Sequence, residues 1–484
     1  AAPPPASPPH LRRGINVEFA VDTPMSPAIL WAAFFLPIPF LIAAIRRSRC
    51  CIYLLDFACY KPSAAPPDGG GARACTRRDL LNVIRHCGSF SDDSVKFTED
   101  ILEKGGLGDS TYLPEALLAV PMRPSLREAR RETETAMFGA IDGALAKAGV
   151  RRREIGILVV NCSAFSVVPS LAAVIVNRYR LGDHVLAYNL IGMGCSGGLS
   201  AVELARDLLR VHPNRRALVV STENTALNAY QGNDRSMILL NCLFRVGAAA
   251  AVLSNHPSDR RRAMYRLLHT AHAHTAASDR SYRCIYQRED GEGRVGFAVS
   301  KDLMTVSVEA IEAAVRQLGR RVLPVSEQLR YAAGRAMGRL RGAEAGPSVP
   351  SFGGACEHFL PHVGGRMMLD ELQRGLGLDR AQTEASRMTL YRFGNTSSSS
   401  VWYELAYVEA KGRVRRGDRV WMMAFGSGFT CTNAVWRAMR TVRSEAGNPW
   451  MDEIDGFPVD EVQRLTPLSS SPYYFEPALR ARAA

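Results

Sequence analysis

A chain of 484 residues exceeds what one ordinary hydrophobic core serves, so two domains or a duplicated one are expected. The net charge of +13 suits an anionic partner such as a nucleic acid, a membrane surface or a phosphate-rich small molecule. Paired Cys/His zinc spacing, an RNA-binding aromatic signature and a block of consecutive basic residues are all missing, which argues against a nucleic-acid module. Eleven cysteines, mostly inside apolar runs such as Val160-Asn161-Cys162, read as reduced thiols.

Residues 1–24 begin proline-rich and are expected to be disordered. Ala28 to Ile45 is uncharged for 18 residues, enough for a membrane helix of about 27 Å at ~1.5 Å per residue, with Pro37 and Pro39 as kinks. Arg46, Arg47 and Arg49 follow where a signal peptide would carry a small-residue cleavage site, so residues 25–49 are assigned to a membrane anchor, as a spanning helix or a re-entrant hairpin. Those arginines put the main domain on the cytosolic side. Cys50 and Cys51, just beyond, are candidate palmitoylation sites. Residues 62–73 read as a flexible linker.

A helical pattern at 126–148 is followed by apolar, strand-like runs at Ile155 to Asn161, Val185 to Ile191, Ala217 to Ser221 and Val246 to Leu253. A second set comprises Arg321 to Val325, Glu357 to Val363 and Arg419 to Phe425, beyond a charged segment around 329–350. Strands alternating with helices predict an α/β fold with a mostly parallel, buried sheet. The expected halves are 50–340 and 341–484.

The run ending Gly192-Met193-Gly194-Cys195-Ser196-Gly197-Gly198 passes from an apolar strand through glycines into helical spacing at Leu199, Val202, Ala205, Leu208 and Leu209. Cys195 therefore opens a helix, where the helix end favours thiolate and free N–H groups can bind an oxyanion. A buried structural thiol is the alternative. His358 and His362 precede Gly364-Gly365 and a helical run from Met367 to Leu376, as reaching or as structural histidines. Asn395 precedes a helix at Val401 to Lys411, as a functional amide or an N-cap. Gly426-Ser427-Gly428 forms a glycine loop, expected before a helix around Asn433 to Thr441. It reads as a ligand-approaching backbone or a simple turn.

Gly192 to Ser196, Ser221-Thr222-Glu223-Asn224, Gly232 to Met237, Asn241 to Arg245, Tyr282-Arg283-Cys284, His362 to Arg366 and Phe393 to Ser400 together resemble the plant 3-ketoacyl-CoA synthases of very-long-chain fatty acid elongation, over about Tyr53 to Val459. The resemblance implies a thiolase-like αβαβα fold of two related halves, with Cys195, His362 and Asn395 as the catalytic triad. It implies condensation of an acyl-CoA with malonyl-CoA, an oxyanion site at Gly426, Ser427 and Gly428, no metal and no cofactor. It further implies a homodimer in the endoplasmic reticulum membrane beside the other elongase enzymes. His274 and His358 match auxiliary histidine positions. Tyr391 is a departure, since the family carries histidine four residues before the triad asparagine. One hydrophobic stretch where the family has two is another. Tyr391 motivates a rival reading as an inactive scaffold. The order Cys, His, Asn motivates a second as a hydrolase, although the papain-like context around the cysteine is missing.

Overall fold

The buried apolar runs become strands in a computed structural model that describes residues 51–62, 71–323, 326–330, 332–333, 356–443 and 447–459. The membrane-anchor stretch, the proline-rich start, Cys50 and most of the linker lie outside the described residues. Among those described, no helix is long and apolar enough to cross a membrane.

The strands in chain order are β1 (Ile52–Cys59), β2 (Ala72–Cys75), β3 (Thr111–Pro114), β4 (Ile155–Asn161), β5 (Leu186–Leu190), β6 (Arg216–Thr222), β7 (Ala248–Ser254), β8 (Tyr265–His274), β9 (Ile285–Glu289), β10 (Val295–Val299), β11 (His358–Pro361), β12 (Arg419–Gly426) and β13 (Thr430–Ala438). Nine of them form one mixed sheet in the order β11-β12-β13-β8-β1-β7-β6-β4-β5, while β2 with β3 and β9 with β10 are separate hairpins. Pairing is parallel for β5, β4 and β6 and for β11 with β12, and antiparallel elsewhere. Every residue of β4 and β7 is buried, as expected of strands covered on both faces.

The sheet folds around two central helices. Gly197–Val211 packs on β4 and β6 with one side and on β12 and β13 with the other. Of the stripe read from the sequence, Leu199, Val202, Ala205 and Leu209 are buried and Leu208 is half-buried. Ser400–Ala410, buried along almost its whole length, packs on β1, β11 and β12. Helix Leu126–Ala148 covers the outside of β1, β6 and β7, and Leu303–Val322 covers β8 and β13. Helix, sheet, helices, sheet, helix is the expected five-layer order, and β8, ahead of residue 340, sits among the strands of the later half.

Three sequence expectations are corrected. The sheet is mixed instead of mostly parallel, with five of its eight pairings antiparallel, because strands β7, β8 and β13 run against their neighbours. Arg321 and Val322 end helix Leu303–Val322 instead of opening a strand. Val315, Leu318 and Val322 recur at helical spacing in the core, and a window of five residues is too short to display that period. The segment after Gly426-Ser427-Gly428 is strand β13, not a helix. Gly426 pairs with Thr430, so the glycine loop is a hairpin connection between antiparallel strands.

Candidate active site

Cys195 stands on a short 3-10 turn, Gly194–Ser196, that runs directly into helix Gly197–Val211. Gly192 and Gly194 before it are left-handed, at φ of 72° and 59°. Around the turn three backbones meet with no room for a Cβ. One built on Gly194 would lie 2.6 Å from the Ser427 nitrogen, one on Gly426 would lie 2.0 Å from the Met193 carbonyl oxygen, and one on Gly198 would lie 2.3 Å from the Ser398 carbonyl oxygen. The cysteine turn, the Gly426–Gly428 loop and the segment after Asn395 are thus locked together through glycine. Ser196 adds a hydroxyl contact of 2.6 Å to Thr430 on β13.

His362 follows β11 immediately, and its N–H donates to the Met423 carbonyl at 2.8 Å. The ring is buried and neither nitrogen has a protein partner among the described residues. Burial without an acidic partner pushes its pKa down from 6.5 to about 3, so the imidazole is neutral. A neutral ring keeps one N–H to donate.

Asn395 is held on three sides. Its N–H donates to the Leu243 carbonyl at 3.0 Å, its carbonyl accepts from the Arg245 N–H at 2.9 Å, and its Oδ1 accepts from the Ser397 N–H at 2.8 Å. With Oδ1 engaged, the side-chain NH2 is the end left to donate. Ser397 reaches this position in the left-handed region, at φ 56°, a strained conformation for a non-glycine residue of the kind that collects at functional sites.

The Ser397 hydroxyl lies 3.4 Å from Cys195 Sγ and 3.1 Å from Glu223 Oε2, and with one proton it donates to only one at a time. Glu223 also accepts from the N–H groups of Ser163 and Ala164 at 3.2 Å and 2.9 Å. Burial raises its pKa above the ordinary carboxylate value. Behind it Glu132 accepts from the Thr225 hydroxyl at 2.6 Å and is raised to about 7, chiefly by burial. Burial also pushes the Cys195 thiol up to about 12, the nearby Glu223 charge adding to the rise and the Ser397 hydrogen bond opposing it. Desolvation at this site therefore opposes the thiolate that the helix end favours.

Cys195, His362, Asn395, Ser397, Glu223 and the Gly426–Gly428 loop all line one cavity of about 390 Å³. Its other walls are largely apolar, including Leu243, Phe244, Phe425 and Phe429, with Ile285 and Phe297 contributed by the β9–β10 hairpin. His274, His358 and Tyr391 do not line it. His274 ends β8, is exposed, and lies behind the loop, where a Cβ on Gly428 would meet its Cε1 at 3.6 Å. His358 starts β11 and its Nε2 is 3.0 Å from Asp418 Oδ2. The Tyr391 ring packs edge-on to Phe457, centroids 6.2 Å apart, and over the backbone of Gly108. The sequence reading did not assign roles to Glu223 and Ser397, though Ser397 stands two residues past Asn395 and Glu223 just past the end of β6. Among the described residues no group of three or more His, Cys, Asp or Glu side chains is disposed to hold a metal ion.

Residues 43–339 match the family described as FAE1/type III polyketide synthase-like protein, and residues 355–438 match the C-terminal part of 3-oxoacyl-[acyl-carrier-protein] synthase III. The chain is 51% identical to 3-ketoacyl-CoA synthase 2 of Arabidopsis thaliana over 91% of its own length and 83% of that protein. The chain belongs to the 3-ketoacyl-CoA synthase family. It is also 48% identical to the probable 3-ketoacyl-CoA synthase 20 of Oryza sativa subsp. japonica, over 93% of its length and 85% of that protein. Among solved structures it resembles 1,3,6,8-tetrahydroxynaphthalene synthase from Streptomyces coelicolor, with a TM-score of 0.63 at 20% identity over 80% of this chain and 99% of that one. The type III polyketide synthase domain of Steely1 from Dictyostelium gives 0.62 at 19% identity, over 80% of this chain and 99% of that one. At that identity the likeness shows the thiolase-type fold. As a 3-ketoacyl-CoA synthase the chain is an acyl-condensing enzyme.

Proposed function

We propose that this 3-ketoacyl-CoA synthase joins a long-chain acyl-CoA to malonyl-CoA through Cys195, His362 and Asn395. The Cys195 sulfur attacks the acyl thioester carbonyl, the C–S bond to CoA breaks, and the proton given up by the thiol leaves with CoA as its own thiol. Malonyl-CoA then enters, and the His362 N–H and the Asn395 NH2 donate to its thioester carbonyl. Loss of CO2 leaves the bonding pair on the α-carbon as an enolate whose oxygen these two donors stabilise. The enolate carbon attacks the acyl-enzyme, Cys195 departs as the leaving group and regains a proton, and the product is a 3-ketoacyl-CoA two carbons longer. Backbone N–H groups of Cys195 and of the Gly426–Gly428 loop receive the oxyanion at each tetrahedral stage. Each such donor is worth on the order of 10² to 10³ in rate in other acyl-transfer enzymes.

The observation that carries this reading is the convergence of Cys195, His362, Asn395 and the glycine loop on one apolar cavity. Two neutral donors suit an enolate better than a charged pair would, because neither must change protonation to bind it. The test is incubation of the full chain in membranes with a long-chain acyl-CoA and labelled malonyl-CoA. Label in a product two carbons longer is expected, and thioester hydrolysis without elongation overturns the assignment.

The setting belongs to the same proposal. The uncharged stretch Ala28 to Ile45 and the arginines after it support an anchor in the endoplasmic reticulum membrane with the catalytic domain on the cytosolic face, beside the other elongase enzymes. The net charge of +13 suits CoA phosphates and anionic lipid. A homodimer is supported by β5, a sheet edge with Tyr188 and Ile191 exposed. The reaction as written uses substrates alone, with no resident metal or cofactor.

A further inference from the structure

Met368 lies where two spaces meet. It stands near the start of helix Arg366–Leu376, six positions after His362, and is 7% exposed. It lines the reaction cavity, and it also lines a small pocket of about 50 Å³ between its own helix and helix Leu303–Val322. Val308, Ile311, Leu372 and Leu376 give that pocket apolar walls. Its two carboxylates are already neutralised along their own helices, Glu312 by Arg316 at 3.7 Å and Glu371 by Arg374 at 2.5 Å. The pocket therefore presents aliphatic surface without an uncompensated charge.

The backbone at this partition is anchored. Gly365 is left-handed at φ 136°, and the Arg366 N–H donates to the Gly105 carbonyl at 3.3 Å. What separates the two spaces is then set by the side chain at 368, not by the helix position. Methionine is unbranched and adaptable, a filler that yields without strain. An enzyme that returns its acyl chain two carbons longer needs a wall that decides when the tail no longer fits.

The geometry points to Met368 as the residue that closes the acyl compartment toward the interhelical pocket and so sets the longest acyl chain this enzyme elongates. The inference rests on the condensing activity above and adds the chain-length determinant. Truncating Met368 joins the two spaces and gives the tail an apolar continuation, whereas a larger, stiffer side chain shortens the compartment.

The test uses the full chain in membranes, malonyl-CoA and a series of saturated acyl-CoAs of increasing length, with products resolved by mass. Met368→Ala is expected to raise the longest substrate elongated by at least two carbons, Met368→Phe to lower it by at least two, and Met368→Leu to leave it unchanged. Leu372→Ala, which enlarges only the interhelical pocket, is expected to leave the limit where the wild type has it. An unchanged limit in active Met368→Ala and Met368→Phe enzymes overturns the inference, as does an equal shift in Leu372→Ala. If Met368→Ala does not fold, Met368→Phe decides alone: a wild-type limit overturns the inference and a shorter one supports it. A wild type that forms no elongated product from any acyl-CoA overturns the condensing activity instead, which keeps the two failures apart.

Discussion

The Ser397 hydroxyl is within 3.4 Å of the Cys195 sulfur, and the same residue's N–H holds the Asn395 side chain at 2.8 Å. One strained residue therefore touches both the nucleophile and one enolate donor, by different atoms. The two contacts are separable by mutation. Ser397→Ala removes the hydroxyl and keeps the N–H, so acylation, followed as CoA release in a single turnover, should slow by roughly fivefold, the equivalent of about 1 kcal/mol for one hydrogen bond. Decarboxylation of malonyl-CoA, which relies on Asn395 and His362, should keep its rate. Equal losses in both steps would show that the hydroxyl acts on the loop as a whole.

The protonation states give a pH signature. His362 has a folded pKa near 3 against an ordinary 6.5, so the unfolded chain binds a proton that the folded one refuses between those values. The contribution is fully favourable above about pH 6.5 and is lost as pH falls toward 3. Thermal unfolding should show the wild-type midpoint dropping more steeply than that of His362→Gln between pH 6.5 and 4. Parallel curves would mean that the ring is not buried neutral. The Cys195 thiol, raised to about 12, is protonated throughout the physiological range, so single-turnover acylation should rise with pH from 6 to 9.

Gly426 tests the lock between loops. A Cβ there would sit 2.0 Å from the Met193 carbonyl oxygen, so Gly426→Ala must displace either the oxyanion loop or the cysteine turn. A fall in kcat of about 10² is expected from loss of one donor position. Gly291→Ala, at a glycine with nothing within 4 Å, is the control and should be silent in both activity and stability. Full activity in Gly426→Ala would remove the loop from the oxyanion site.

Tyr391 departs from the family pattern, yet its ring rests on Phe457 and Gly108 away from the cavity. Tyr391→His leaves a gap there, costing about 1–2 kcal/mol of stability while leaving kcat and KM for condensation at wild-type values. A gain of activity in Tyr391→His would instead show that the position governs turnover and would favour the scaffold reading of the wild type.

How far the sequence revealed this architecture depended on pattern length. The helix at 126–148 and the strand at 155–161 were legible because their apolar periods extend over enough residues to exclude alternatives. Arg321 to Val325 and Asn433 to Thr441 were misread because a short apolar run does not distinguish a helix end, a hairpin strand and a core strand. Cys195 stood out by glycine neighbours that the structure explains as close backbone approach, and His362 and Asn395 by glycines, Gly365 and Gly394, held at positive φ. The partners of Cys195 were illegible for a physical reason: Ser397 and Glu223 acquire meaning only when the segments after Asn395 and after β6 meet behind the thiol, 202 and 28 residues away in sequence. The desolvation that raises that thiol was hidden for the same reason, since burial is a tertiary property.

The central claim is that Cys195 carries the acyl chain. Full-length enzyme treated with a long-chain acyl-CoA, then digested and read by peptide mass spectrometry, should show the acyl mass on the peptide holding Cys195. Addition of malonyl-CoA should discharge it into the 3-ketoacyl product. Elongation that persists in Cys195→Ala, or an acyl mass on a different residue that malonyl-CoA discharges, would contradict the account.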